Sequence, residues 1–380
     1  MSLRRGFALF LMIACNGAPG VRGEEAPARA VTQNVIVVTT DGLRWQEVFR
    51  GAEESLLNKK DGGVEHVDSL RREFWRATPE ARREALMPFL WKVVARDGQL
   101  FGNADKGSHA RVTNGRNFSY PGYNELLTGS PDPRIDSNEK RPNANVSVLE
   151  WLNRKPEYRG KVAAVGSWDV FPYILNRERS GLPINAGWEP IAGASLTETQ
   201  VLLNRLMAQE ARVWEDCRHD AFTAQVALER LEHHATRVLY ISFGDTDEFA
   251  HSGRYDHYLR AARRVDANLE ILWNHLQSRP EFRGKTTLIV STDHGRGDPP
   301  RGWRDHGEKT KGSDAIWIAA IGPDTPALGE RANTRTLTQG QVAATVATLL
   351  GEDYLAEAPA AARPIAEVIQ PKTGQTAPNP

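Results

Sequence analysis

The chain has 380 residues, 40% hydrophobic and 25% charged, which is enough apolar material for one large core or two modest ones and marks a globular protein. Lys plus Arg equals Asp plus Glu at 48 each, which argues against a surface built for nucleic acid or an anionic membrane. Any affinity for phosphate must be local.

At the N-terminus Arg4 and Arg5 precede an apolar stretch from Gly6 to Cys15, the charged and hydrophobic parts of a secretory signal. About ten apolar residues are too few to span a bilayer, so no transmembrane segment is expected in the mature chain. The small residues that follow permit cleavage near Gly23 and a secreted or periplasmic protein, with residues 1–23 as signal peptide; Ala14-Cys15 offers a lipoprotein anchored through Cys15 as the alternative. Losing Arg4, Arg5 and Arg22 leaves the mature chain mildly acidic and Cys217 alone, so no intramolecular disulfide is expected.

Further along, mostly β-branched runs bounded by Gly or Asp predict strands at 34–40, 161–166, 237–243, 286–292 and 314–321. Apolar residues at helical spacing predict helices at 69–94, 146–153, 197–212, 220–233, 255–276 and 339–350. Strands alternating with helices imply an α/β layered domain. It is expected to occupy residues 24–371, with a candidate substrate-binding insert at 167–195, rich in Gly, Pro and Trp and without regular period, and a disordered tail at 372–380.

In open α/β sheets the functional crevice lies at the carboxyl ends of the strands, and potential metal ligands cluster there. Asp41 follows Val-Val-Thr-Thr, Asp247 comes just after Tyr-Ile-Ser-Phe-Gly, and Asp293-His294 follows Leu-Ile-Val-Ser-Thr. Asp247 and His251 stand four apart, so on a helical turn both point to one side and can share an ion. Adding His306 gives two His and one carboxylate with a position left open, a composition that suits catalytic zinc. Asp245 competes with Asp247, but the spacing to His251 favours Asp247. Singly, each Asp is a common turn former and each His a common hydrogen-bonded residue; the argument rests on their joint placement after predicted strands.

The nucleophile candidate is Ser119 in Asn-Phe-Ser-Tyr-Pro-Gly-Tyr. Pro121 fits the first turn of a helix, which puts Ser119 at its positive end, where an alkoxide and a phosphate are both favoured. The competing reading is a plain helix N-cap.

These motifs resemble the nucleotide pyrophosphatase/phosphodiesterase branch of the alkaline phosphatase superfamily. That family's first aspartate ligand matches Asp41, its nucleophile before an aromatic and a Pro matches Ser119, and its Asp-x-x-x-His pair matches Asp247 and His251. Its Asp-His-Gly matches Asp293-His294-Gly295, and its last His matches His306. The resemblance implies a three-layer α/β/α fold with a mainly parallel central sheet. It also implies two divalent ions, Zn2+ or alternatively Mn2+: one on Asp247, His251 and His306, the other on Asp41, Asp293, His294 and Ser119. The family's phosphate-binding Asn is matched nearest by Asn138, with Asn143 and Asn145 as rivals.

Two departures bear on substrate. Gly122 stands where that branch commonly has Asn, and Tyr123 stands where sulfatases carry Arg. The function implied is two-metal hydrolysis of a small-molecule phosphate ester, monoester or diester, through a phosphoseryl intermediate on Ser119. The alternatives are a metal-dependent phosphomutase, a sulfatase-like hydrolase, or a noncatalytic binding protein that retains metals. Trp168, Phe171, Tyr173 and Trp188 are either stacking residues for a base or sugar, or core.

Overall fold

The computed structural model describes residues 31–369, so the expected signal peptide, the Cys15 anchor and the tail from residue 372 lie outside the described residues. The apolar run at 34–40 forms strand β1 (Asn34–Thr40), buried along its whole length. Side chains alternate across a strand, and here both faces are apolar: Ile36 and Val38 enter one hydrophobic core, Val35 and Val37 the other. A strand buried on both faces belongs in the middle of a layered fold.

The other strands among the described residues are β2 (Gln99–Phe101), β3 (Ala110–Arg111), β4 (Val162–Gly166), β5 (Ile184–Ala186), β6 (Val238–Phe243) and β7 (Thr286–Ser291). They are followed by β8 (Ala315–Ile316), β9 (Ile318–Ile321), β10 (Gly329–Glu330) and β11 (Leu337–Thr338). Eight of them form one sheet in the order β10-β2-β9-β7-β1-β6-β4-β5. β1 pairs in parallel with β6 and β7, and β4 with β5 and β6, while β9 runs antiparallel to β7 and β2. Helices Val67–Phe74, Asp220–His233 and Tyr255–Ser278 send Leu70, Leu231, Leu259 and Leu269 into the core on one face. On the other face Ser119–Thr128, Val148–Arg154 and Gln341–Leu349 contribute Leu126, Leu152 and Val346. The result is the expected α/β/α arrangement with a mainly parallel sheet.

Three stretches differ from the sequence reading. The helix expected over 69–94 is broken, because Pro79 has no N–H and disfavours helical backbone at Thr78; Thr78 instead caps a new helix, Pro79–Leu86, by accepting from Ala81 N at 3.2 Å. The run 314–321 splits at Trp317, whose carbonyl accepts from Ser291 Oγ at 2.8 Å, and β8 joins a separate three-stranded sheet, β11-β3-β8. The stretch 167–195 is more regular than its composition suggests: it carries the short helices Phe171–Ile174 and Arg177–Ser180 and the edge strand β5. No helix among the described residues is long and apolar enough to cross a membrane.

Candidate active site

β7, β1 and β6 are neighbours and parallel, so the residues that follow them emerge side by side at one edge of the sheet. Asp41 N extends the ladder to Phe243 O at 2.8 Å. Two threonine hydroxyls tie the turns together: Thr246 Oγ1 donates to Asp41 O at 2.5 Å and Thr292 Oγ1 to Thr40 O at 2.7 Å. Gly42 adopts φ +58°, and its N–H donates to Asp293 Oδ1 at 3.1 Å. A Cβ there would lie 2.7 Å from Arg296 Nε and 2.8 Å from Asp247 Oδ1, so the turn accepts only glycine.

Ser119 opens a helix, but as its first residue rather than its cap. Phe118 is the N-cap, extended and without a side-chain cap bond, which removes the plain N-cap reading of Ser119. Ser119 Oγ lies 3.4 Å from His294 Nε2. The loop before it is anchored from within the same helix: the Glu125 carboxylate accepts Thr113 N at 2.9 Å, Asn114 N at 3.0 Å and Thr113 Oγ1 at 2.7 Å. Next along the helix, Gly122 packs on the backbone of Asp293, where an added Cβ would sit 2.4 Å from Asp293 O. Tyr123 donates its hydroxyl to Asp41 Oδ2 at 2.8 Å and accepts from Ser242 Oγ at 3.1 Å.

All seven candidate ligands converge. His294 Nε2 is 3.3 Å from Asp41 Oδ1, 3.5 Å from Asp293 Oδ2 and 3.9 Å from Asp247 Oδ1. His251 Nε2 is 3.2 Å from Asp247 Oδ2 and 3.0 Å from His306 Nε2, and His306 Nε2 is 3.7 Å from Asp247 Oδ1. Asp41, Asp293 and His294 form one group able to hold a cation, and Asp247, His294 and His306 a second. His251 borders the second group, its side chain 43% exposed while that of His294 is fully buried, so access to the cluster is from the His251 side.

The donor set fits metal ions. Asp293 Oδ2 is buried without a hydrogen-bond partner, Asp41 Oδ1 has only His294 Nε2 at 3.3 Å and Asp247 Oδ1 only the Arg296 guanidinium; three carboxylates crowded together with so few donors are costly unless a cation satisfies them. Burial and the Asp41 charge push the Asp293 carboxyl well above its usual range, while at Asp41 burial is outweighed by the hydrogen bond and charge of His294. Burial would lower His294, but Asp293 and Asp41 raise it to about 9, so the anions retain a proton that a metal ion would displace. Burial, then the charge of His294, pulls His251 and His306 down, leaving both imidazoles neutral and ready to ligate.

The rivals fall elsewhere. Asp245 turns to Arg264 at 3.1 Å and His219 at 3.5 Å. Asn143 and Asn145 both donate to Asn124 Oδ1, at 3.1 and 3.0 Å. Asn138 Oδ1 instead accepts Tyr120 N at 3.0 Å, one residue from Ser119. Of the aromatic candidates, Phe171 is core, 4.8 Å from the Tyr123 ring, whereas Trp168, Tyr173 and Trp188 are half-buried. Glu125 and Arg296 are parts of the site that the sequence did not single out, and of these only Arg296 left a sequence signal, its place directly after Asp293-His294-Gly295.

A sequence model of the type I phosphodiesterase / nucleotide pyrophosphatase family matches residues 57–308, more than half of the chain. The chain belongs to this family. Asp41 lies upstream of the matched span. Among solved structures the fold is similar to the alkaline phosphatase PafA, at 12% identity over 90% of this chain and 100% of that one, TM-score 0.56. It is similar also to the lipoteichoic acid synthase LtaP of Listeria monocytogenes, at 10% identity over 85% and 73% of the two chains, TM-score 0.52. A candidate sulfatase of Bacteroides thetaiotaomicron matches at 12% identity over 88% and 72%, TM-score 0.52. No curated protein matches the chain by sequence. The family member thus has an alkaline phosphatase-like fold.

Proposed function

We propose that this protein hydrolyses small-molecule phosphate esters with Ser119 as nucleophile and two divalent ions as cofactors. Asp247, His251 and His306 would hold one ion, and Asp41, Asp293 and His294 with Ser119 the other; mixed imidazole and carboxylate donors suit Zn2+, with Mn2+ as the alternative. When bound, such ions supply Lewis acidity toward phosphoryl and serine oxygens.

The chain's own groups supply the rest. Ser119 Oγ, at the positive end of its helix, attacks phosphorus; the Oγ–P bond forms as the ester P–O bond breaks and the alcohol leaves. Asn138, held through its Oδ1 by Tyr120 N–H, has its amide nitrogen free to donate to a nonbridging phosphate oxygen. Water then cleaves the phosphoseryl bond and returns Ser119 to its hydroxyl. Tyr123, bonded to Asp41, takes the place of the sulfatase arginine, which favours phosphate over sulfate esters.

The observation that carries this reading is Ser119 Oγ, uncommitted to capping, 3.4 Å from His294 Nε2 and beside the crowded carboxylates of Asp41, Asp247 and Asp293. Purified protein, stripped and reloaded with Zn2+ or Mn2+, should turn over chromogenic phosphate monoester or diester faster than sulfate ester. Two bound metal equivalents with no turnover of any ester would favour the noncatalytic reading instead.

In the same reading residues 24–371 are a single hydrolase domain whose 167–195 segment contributes substrate contacts, and the protein is exported. Mass spectrometry of the mature protein is expected to find a start near Glu24 or at a lipidated Cys15. An intact cytoplasmic N-terminus would contradict both.

A further inference from the structure

Arg296 is buried to 1% exposure, and its guanidinium reaches three separate segments that each carry a candidate ligand. Nε donates to Gly42 O at 3.2 Å, beside Asp41. Nη2 donates to Asp247 O at 3.3 Å and also contacts the Asp247 carboxylate at Oδ1, while Oδ2 lies toward His251. Nη1 donates to Arg304 O at 2.6 Å, two residues before His306. A guanidinium is a rigid planar fork, so these contacts fix the three segments relative to one another and not merely to Arg296. The surroundings are shaped to admit it: Gly42 has no side chain to collide with Nε, and Arg44, ion-paired to buried Glu47, donates through Nη1 to Gly297 O at 3.0 Å, bracing the next turn of the Arg296 loop.

We propose that Arg296 is a positioning residue that pre-assembles the metal centre, clamping the backbone beside Asp41, Asp247 and His306 so that an ion meets ligands already in place. This rests on the metal reading of the site given above. A cation so near Asp247 also opposes a bound ion electrostatically; the number and placement of its backbone contacts make the clamp the dominant effect. Removing it should therefore weaken metal binding rather than strengthen it.

The test is a Co2+ titration of metal-free wild type, Arg296→Met and Arg296→Lys, followed by d–d absorption and by competition with a chromophoric chelator. Arg296→Met should bind one equivalent at least about tenfold more weakly, with an altered spectrum, as loss of an outer-shell partner does. Lys keeps the charge but cannot span three carbonyls, so Arg296→Lys should recover only part of the affinity. Amide hydrogen exchange of the wild type covers the case in which Arg296→Met fails to fold. Residues 41–44, 245–251 and 302–307 should be protected in metal-free protein to within a few-fold of the loaded form. Unchanged Co2+ affinity and spectrum in both variants, tighter binding in Arg296→Met, or segments ordered only after metal addition would each overturn the clamp. A wild type that takes up no Co2+ would instead overturn the metal reading beneath it.

Discussion

Gly122 and Tyr123 are the two positions expected to depart from the pattern of the family that the sequence resembles, and contacts around the site bear on both. With Asp293 O only 2.4 Å from where a Cβ would stand, an asparagine at 122 would have to push the nucleophile helix off the ligand loop. Gly122→Asn is therefore expected to lower stability by about 1–3 kcal/mol in urea unfolding and to reduce turnover more than that loss explains. Tyr123→Phe leaves Asp41 Oδ2 without its donor; a loss of about 1–2 kcal/mol is expected, together with weaker metal uptake. Ser119→Ala should lower turnover by about a thousandfold or more while both metal equivalents remain. His251→Ala or His306→Ala should lower occupancy of one ion first, read by metal analysis before and after dialysis. Near-normal turnover in Ser119→Ala with a full site would exclude the phosphoseryl route while leaving metal-dependent hydrolysis standing. Arg296, Glu125 and Asn138 were hidden or ambiguous in the sequence for one reason: each acts on backbone groups that only folding brings near.

At the scale of elements, the long helix Tyr255–Ser278 braces the broken 69–94 stretch through one buried carboxylate. Asp266 accepts Phe89 N and Leu90 N, both at 2.8 Å, satisfying the start of the turn Leu90–Val94. Asp266→Ala leaves two buried N–H groups without acceptors and is expected to lower stability by about 2–4 kcal/mol, with metal binding retained. Burial raises Asp266 to about 6 against the ordinary 3.8. Its contribution is full below the unfolded value and is lost as pH rises through the folded one, because the native state keeps a proton that the unfolded chain has released. Denaturation midpoints should thus show a decline between about pH 4 and 6 that Asp266→Ala removes. A variant with the same slope as wild type would assign that slope to other groups. The helix break itself was visible in the sequence, since Thr78-Pro79 is a start signal; helical spacing on both sides concealed it.

For the whole molecule, the sheet is buried on both faces and the ligands sit on turns between its central strands, so metal binding and folding are coupled. A bound ion stabilises only the folded state, by about 2.7 kcal/mol at one hundred times its Kd. Chelation is therefore expected to lower the thermal unfolding midpoint by several degrees, reversibly on adding Zn2+. An unchanged midpoint would mean that no ion binds the folded state in preference to the unfolded one, and would count against the metal reading.

The sequence by itself determined the α/β class, four of the central strands and the seven candidate ligands. β-branched runs, the turn residues that end them and the Asp-x-x-x-His spacing are local, and the chain states them directly. Tertiary structure decided the rest. That β9 runs antiparallel, that 314–321 divides at Trp317 and that β5 joins the edge depend on hydrogen bonds between residues far apart in the chain. So does the Arg296 fork between three segments. In each case the residue types permit several partners, and only the long-range packing of the sheet determines which one a polar atom meets.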